Sequence, residues 1–372
     1  MHHHFRNVLL VIFIAMLSAC SIHIGHRHMI YDDDFFFELK APNKASRNAL
    51  SFNDDETDIE VLPESISLVI GDLVLGQKRR LQIENVSGKV EYEYRVNGKV
   101  SAYNSDAQLW FASQVPRILR ETGINKTERI QRIYQANGAV ALINEIALIE
   151  SDSSKGAYLL ETIQTIKLES SEISALISLS STIESDATLS AILQAAVDSA
   201  TSEIDVNAVL QPAKTIESDA SLSSLLGNLP SEQLGTHSVQ KTFFNLAQTI
   251  ESDSLLSDVF VKQVANMTVA SESTDAMLNS LNSIQSDYQM REAMTALAKS
   301  SNHERHLVDL VKLAQNEIHS DYELASLLLQ IIDENEISQE LQEQVYTAAN
   351  SIDSDYERSR VLNRLIDIVI SQ

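Results

Sequence analysis

The tetrapeptide His303-Glu304-Arg305-His306 is the part of this chain that comes nearest to a metal-binding motif. Zinc peptidases carry two histidines four positions apart on one helix, and the glutamate beside the first histidine acts as a general base. In this chain Leu307 occupies the position that the second histidine would need. The spacing therefore favours a packing or solvent-exposed role for His303 and His306 over a zinc site.

Other catalytic patterns are missing from the sequence. Serine is abundant, but no Gly-x-Ser-x-Gly segment would expose one as a nucleophile, and the 10 glycines form no phosphate-binding loop. Paired carboxylates occur throughout the second half of the chain, so no pair stands out as a general acid and base. We therefore expect a protein that is not an enzyme, with no catalytic, cofactor-binding or metal-binding residues and no cofactor.

The acidic residues show a different regularity. The motif Ile-x-Ser-Asp occurs seven times, and its aspartates recur with a period of about 34 residues. A fixed period of this length is typical of a stacked array whose units bury their apolar faces against their neighbours. The repeated aspartates are Asp152, Asp186, Asp219, Asp253, Asp287, Asp321 and Asp355.

Each motif is predicted to begin a helix. A serine followed three residues later by Glu or Gln is a capping box, as at Ser320 and Glu323, and an aspartate in the first turn suits the positive end of the helix dipole. We therefore assign the seven aspartates a structural role at helix starts and leave open a bridge to the next repeat. A calcium site is disfavoured, because the ligand spacing of a calcium-binding loop is absent.

The sixth motif shows what one repeat contains. Behind Asp321, apolar residues recur at helical spacing in one stripe, and a second apolar stripe leads to the next motif. The first stripe consists of Leu324, Leu327, Leu328, Ile331 and Ile332, and the second of Leu341, Val345, Ala348, Ala349 and Ile352. The sequence therefore predicts a mainly α fold: an α-solenoid of about seven or eight stacked helix pairs over residues 104–372, with a period of about 34 residues and with Ser-Asp repeats from residue 149.

Composition supports a helical, acidic protein. The 10 glycines and 5 prolines make up about 4% of the 372 residues, where an average chain has roughly 12%. This scarcity of turn formers argues against a β-sandwich or barrel. Residues 149–372 contain 12 basic and 34 acidic side chains and so carry −22 of the net charge of −24. Such acidity disfavours binding to nucleic acid or to an anionic membrane surface.

Residues 59–103 change to a period of two and predict a small antiparallel β-meander that precedes the helices. Strands are expected at residues 65–70, 80–84, 90–96 and 99–101. Asn97-Gly98 is a strong signal for a two-residue hairpin. The segment before the meander, residues 20–58, is interpreted as a solvated tether, because no ordered frame is evident around its histidines.

Residues 1–19 are predicted to be a secretion signal. The apolar run from Val8 to Ala19 is too short to cross a bilayer as a helix, which needs about 20 residues. The run ends in Leu17-Ser18-Ala19-Cys20, which resembles the lipobox of bacterial lipoprotein signals. The resemblance implies cleavage before Cys20 and lipid on its sulfur, and Ser21 favours the outer membrane. An ordinary signal peptide with an incidental cysteine is the alternative.

The repeats resemble those of a group of bacterial envelope proteins with HEAT-like Ser-Asp-Tyr-Glu repeats. The resemblance is carried by Ser320-Asp321-Tyr322-Glu323 and Ser354-Asp355-Tyr356-Glu357, with a variant copy at Ser286-Asp287-Tyr288-Gln289. A Val-Asn-Gly-Lys turn from Val96 and a helix containing Trp110 resemble the region that precedes these repeats in the same group. Some relatives carry a membrane metallopeptidase of the penicillin-sensor type ahead of the repeats, whereas this chain has a lipoprotein signal there.

These features lead to three functional hypotheses. The first is a non-enzymatic, lipid-anchored scaffold of the bacterial cell envelope that binds a protein partner, facing the periplasm from the outer membrane through lipidated Cys20. The second is a regulatory or sensory lipoprotein that controls an envelope enzyme or signalling system. The third and least favoured is a metal-dependent hydrolase that uses His303 or His306. No nucleic acid partner is expected in any of them.

Overall fold

The computed structural model describes residues 20–24, 27–31, 34–199 and 206–371, and the side chain of Cys20 is not among the described ones. The predicted secretion signal, residues 1–19, lies outside this range. The chain divides into two compact units, residues 1–166 and 167–372, and each is considered by itself. The first three helices after the meander therefore group with the sheet and not with the later repeats.

Unit 1 is built on a seven-stranded antiparallel sheet with the order β1-β2-β3-β6-β7-β8-β9, and β4 and β5 form a separate pair. Its strands are β1 Cys20–Ile24, β2 Arg27–Tyr31, β3 Phe35–Lys40, β4 Ser51–Phe52, β5 Ile59–Val61, β6 Ser67–Val74, β7 Gln77–Val86, β8 Lys89–Val96 and β9 Lys99–Ser101. The strands predicted within residues 65–101 are confirmed. At the hairpin between β8 and β9, Asn97 and Gly98 have φ of 48° and 80°, as a type I′ turn requires.

The prediction of a solvated tether over residues 20–58 is wrong, because three strands of the sheet lie in it. On β3 the side chains of Phe35, Phe37 and Leu39 are 2%, 0% and 1% exposed, and the intervening side chains are only half-buried. The three consecutive phenylalanines hide this alternation in the sequence, since both faces of the strand begin with the same residue type. The sheet therefore starts at Cys20 and not at residue 59.

One face of the sheet forms the core of unit 1. Phe37, Ile70, Leu81 and Tyr94 follow one another across four adjacent strands and are all buried. Helix α2 packs its apolar residues, Trp110 among them, into the same cluster. The helices of this unit are α1 Lys44–Asn48, α2 Ser105–Thr122, α3 Lys126–Ala147 and α4 Asp152–Thr165. The sheet is thus stabilised by an α-helical layer, as small sheets require.

Unit 2 contains twelve α-helices among its described residues. They are α5 Ser170–Ser180, α6 Asp186–Ser199, α7 Val206–Ala213, α8 Asp219–Gly227, α9 His237–Ala247, α10 Asp253–Lys262, α11 Thr274–Leu281, α12 Asp287–Ala298, α13 Leu307–Glu317, α14 Asp321–Glu334, α15 Gln339–Asn350 and α16 Asp355–Ser371. These helices form two series, and in each series a helix contacts the next member. The first series is α6, α8, α10, α12, α14 and α16, and the second is α5, α7, α9 and α11. The predicted mainly α fold of stacked helix pairs after a small antiparallel sheet is confirmed.

The sixth repeat shows how one helix pair is held together. On α14 the side chains of the predicted stripe, from Leu324 to Ile332, are at most 3% exposed. The stripe of α15 and the residue Ile352 that follows it are buried to the same degree. Both stripes predicted for this repeat are therefore confirmed as core.

Candidate functional site

Each of the seven repeated aspartates is the first residue of a helix. Those helices are α4, α6, α8, α10, α12, α14 and α16. In most motifs the serine before the aspartate accepts a hydrogen bond from the backbone N–H three residues later, as Ser320 does from Glu323. A side-chain oxygen at this position satisfies one of the N–H groups that the first helical turn leaves unpaired.

The aspartate carboxylates bind the next repeat. Asp253 accepts hydrogen bonds from the backbone N–H groups of Gln285 at 3.0 Å and Ser286 at 2.7 Å, just before the following helix starts. We call this series of bonds the aspartate ladder. It is repeated by Asp186, Asp219, Asp287 and Asp321, with distances of 2.6 to 3.2 Å. These five aspartates therefore do bridge to the next repeat, and their carboxylates accept hydrogen bonds from its backbone N–H groups.

Replacing Asp321 with alanine is expected to lower the free energy of unfolding by about 0.5 to 2 kcal/mol, because the N–H groups of Asp353 and Ser354 lose their acceptor. The matched control is Asp355→Ala, since that carboxylate is 90% exposed and pairs with Arg358 inside its own helix. Urea unfolding followed by circular dichroism measures both changes. An equal loss in the two variants would contradict a structural role for the ladder.

Glu121 binds the first motif in the same way, although no sequence pattern marks it. Its carboxylate, 4% exposed at the end of α2, accepts hydrogen bonds from the N–H groups of Glu150 at 2.9 Å and Ser151 at 2.6 Å. Burial raises the pKa of Glu121, and the two N–H donors oppose that rise. Glu121 ends a helix instead of starting one, and its separation from Asp152 does not match the repeat period, so a search for that period cannot find it.

His303 and His306 are buried and have structural partners. His303 is 0% exposed, and its Nε2 lies 2.7 Å from the carbonyl oxygen of Val264. His306 is 3% exposed, and its Nδ1 lies 3.4 Å from Oγ1 of Thr274. Burial lowers the pKa of both imidazoles, which favours their neutral forms. This geometry supports the packing interpretation, and within the described ranges no group of three or more His, Cys, Asp or Glu side chains could hold a metal ion.

Exposed tyrosines follow the aspartate in the last three motifs. Tyr288, Tyr322 and Tyr356 are 50%, 59% and 72% exposed, and we call them the tyrosine row. They occupy the same position on α12, α14 and α16, which are neighbouring helices in contact. The equivalent residues of the four earlier motifs are Ser153, Ala187, Ala220 and Ser254. Three large amphipathic rings are therefore presented side by side on one part of unit 2.

The tyrosine row is bordered by paired arginines. The guanidinium of Arg291 lies 5.0 Å from the ring of Tyr288, and that of Arg360 lies 5.8 Å from the ring of Tyr356. Arg291 also pairs with Glu323 of the next repeat, and Arg360 pairs with Glu357 at 2.5 Å. The rings of Tyr288 and Tyr356 thus each contact a cation of the chain itself.

Comparisons of this chain with protein-family models, with curated proteins and with solved structures found no match. In the part of the chain that the structure describes, no helix has both the length and the apolar character needed to span a membrane. The function is therefore inferred from the sequence pattern and from the side chains that the repeats leave exposed.

Proposed function

We propose that this protein is a non-enzymatic scaffold of the bacterial cell envelope that binds a protein partner through the tyrosine row. The supporting observation is the exposure of Tyr288, Tyr322 and Tyr356 at one position of three consecutive repeats. Tyrosine is enriched among the residues that dominate binding energies at protein interfaces. Stacked helix repeats also provide extended surfaces for such contacts.

A lipid on Cys20 anchors the scaffold, most simply in the outer membrane with the repeats in the periplasm. The lipobox-like end of the secretion signal supports this part of the proposal. Since β1 begins at Cys20, such a lipid holds the sheet of unit 1 close to the bilayer and not at the end of a long tether.

The partner is a protein that presents lysine or arginine side chains to the row. Residues 149–372 carry a net charge of −22, which attracts basic partners and repels nucleic acid. The ring faces of the tyrosine row also attract cations, as Arg291 against Tyr288 and Arg360 against Tyr356 illustrate. The ring of Tyr322 is then the site for a lysine or arginine of the partner.

A photoreactive amino acid placed at position 322 or 356 tests this function in intact cells. We expect both positions to crosslink to one and the same envelope protein. The matched control is position 346, because Tyr346 is 56% exposed on the other helix of the same repeat. Different products from the two row positions, or the same product from position 346, would contradict the proposal.

The purified partner then gives the quantitative test. Combined replacement of Tyr288, Tyr322 and Tyr356 by alanine should weaken its binding at least tenfold, since truncating one hot-spot residue costs about 2 kcal/mol or more and about 1.4 kcal/mol corresponds to a factor of ten. Tyr346→Ala should leave the dissociation constant unchanged. Isothermal titration calorimetry at two salt concentrations measures both values and shows whether binding weakens with salt, as attraction between opposite charges requires.

A further inference from the structure

The hairpin between β6 and β7 has an unusual residue at its tip. Leu75 and Gly76 have φ of 50° and 78°, the pair of positive values that a type I′ turn requires. The first position of such a turn favours asparagine, aspartate or glycine, because a bulky side chain is strained at positive φ. Leu75 is nevertheless fully exposed to solvent and so gains no burial in return. Strain of this kind points to a function of the side chain outside the fold.

The other two hairpins with successive positive φ values have a polar residue in that first position. They are Ser87-Gly88 between β7 and β8 and Asn97-Gly98 between β8 and β9. Beside Leu75, the side chains of Leu73 and Val74 are 52% and 43% exposed. We call residues 73–76 the leucine tip. It is an apolar projection from a sheet whose comparable turns begin with polar residues.

The strand register places the leucine tip at the same end of the sheet as Cys20. Cys20 pairs with Tyr31, and Tyr31 pairs with Phe36. Phe36 in turn pairs with Gly71 on β6, so that three strand spacings, about 14 Å, separate Cys20 from Gly71. Leu73 lies two residues, about 7 Å, beyond this level, and the rest of the tip extends further. The tip is therefore the part of β6 and β7 that projects past the residue proposed to carry the lipid.

We propose that the leucine tip inserts into the lipid bilayer, so that the sheet contacts the membrane there as well as at Cys20. The inference rests on the proposed function, because the lipid on Cys20 brings this end of the sheet to the bilayer surface. Protein segments that lie at such a surface bury their apolar side chains about 5 to 10 Å deep, which the projection of the tip allows. Insertion also gives the strained Leu75 the burial that the folded chain does not provide.

The side chains beside the tip suit the head-group layer of a bilayer. Tyr31 is 60% exposed, and its ring lies 5.8 Å from that of Phe36. Tyrosine favours this layer because it has an apolar ring and a polar hydroxyl. Lys78 and Arg80 follow the tip on β7, and Lys78 pairs directly with Leu73. Both cations are exposed, and neither forms an ion pair with another described residue, which leaves them available to lipid phosphates.

The described carboxylates nearest to the tip already have cationic partners. Asp72 pairs with Arg79 and also accepts a hydrogen bond of 2.8 Å from the indole N–H of Trp110. Asp34 lies 3.4 Å from Arg117. These ion pairs reduce the repulsion that free carboxylates would exert on lipid phosphates.

A polarity-sensitive dye on a cysteine at position 75 tests the inference in protein purified from cell membranes and reconstituted into phosphatidylcholine vesicles. Cys20 is the only cysteine of the chain, so a lipid on its sulfur leaves Leu75→Cys with a single free thiol. We expect lipids with brominated acyl chains to quench this dye roughly threefold more strongly than a dye on Ser87→Cys. Position 87 is the matched control, because Ser87 has the same positive φ at the opposite end of the sheet.

Equal quenching at positions 75 and 87 would overturn insertion of the tip. A second variant, Leu75→Asn, should fold well, because Asn-Gly is the preferred pair for a type I′ turn. In that background a dye on Val74→Cys should lose most of its quenching, and undiminished quenching would count against the role of Leu75. If the chain without an added cysteine takes up the dye, Cys20 carries no lipid, which contradicts both the anchor and this inference. Crosslinking from the tyrosine row tests the scaffold separately.

Discussion

Replacing Arg129 with methionine is expected to lower the free energy of unfolding by about 3 to 5 kcal/mol, the usual cost of breaking a buried ion pair by removing one partner. The Arg129 side chain is 3% exposed and bonds to both carboxylate oxygens of Glu56, at 2.8 and 3.1 Å, and to Glu145 at 2.7 Å. Glu56 belongs to the turn between β4 and β5, and Glu145 to α3. Arg129 therefore attaches that turn to the helices of unit 1.

Fluorescence of Trp110 measures this effect, because it is the only tryptophan of the chain and lies in the core of unit 1. The matched control is Arg132→Met. Arg132 also pairs with Glu56, but its side chain is 28% exposed, and more exposed pairs contribute only about 0 to 1 kcal/mol. If Arg129→Met and Arg132→Met unfold at the same urea concentration, the burial of Arg129 does not make its ion pairs more stabilising than those of Arg132.

The same contacts predict how acid affects unit 1. Burial alone would raise the pKa of Glu56, but its hydrogen bonds and its attraction to Arg129 and Arg132 outweigh burial, so that the pKa is lowered. The stabilisation from Glu56 is therefore complete above the unfolded pKa of about 4.3 and is lost as the pH falls through the lower folded value. In Arg129→Met, the free energy of unfolding measured by Trp110 fluorescence should therefore depend less on pH in the acid range.

Replacing Leu328 with alanine is expected to cost about 2 to 5 kcal/mol, because the change removes a fully buried side chain and leaves a cavity. Leu328 is 0% exposed in the middle of the stripe of α14, a helix that contacts α12, α15 and α16. Urea unfolding followed by far-ultraviolet circular dichroism reports on this helical unit. The midpoint should fall further than in Asp321→Ala, in which only hydrogen bonds to the next repeat are lost.

Tyr322→Ala is the control on the same helix. Its side chain is 59% exposed, so the free energy of unfolding should change by no more than about 0.5 kcal/mol. A loss in Tyr322→Ala as large as in Leu328→Ala would show that the buried and exposed faces of α14 are assigned wrongly. Small and equal losses in Leu328→Ala and Asp321→Ala would overturn the repeat register itself.

Local chemistry in the sequence was sufficient for the helix starts and the hairpin. A Ser-Asp pair caps a helix through groups that are only three residues apart, and Asn97-Gly98 allows two successive residues with positive φ. The stripe around Leu328 was equally legible, because a helix repeats its buried face every three to four residues. In each case the interacting groups are close neighbours in the chain.

The sequence did not reveal contacts between residues far apart in the chain. The sequence predicts a tether where strand β3 lies, because the alternation in Phe35-Phe36-Phe37 becomes visible only when β2 and β6 pair with the strand. The role of Glu121 is hidden in the sequence for a related reason. Its two backbone donors follow the whole of helix α3, and no local pattern distinguishes it from the other acidic residues of the chain.

The repeat period, the residue at which each repeat begins and the buried face of its helices can all be predicted from the sequence alone. Which groups each carboxylate binds, and which aromatic and apolar side chains stay exposed, depends on how successive repeats stack. Capping and helical periodicity act within about four residues, whereas the aspartate ladder and the exposure of Tyr322 or Ile366 involve residues of different repeats.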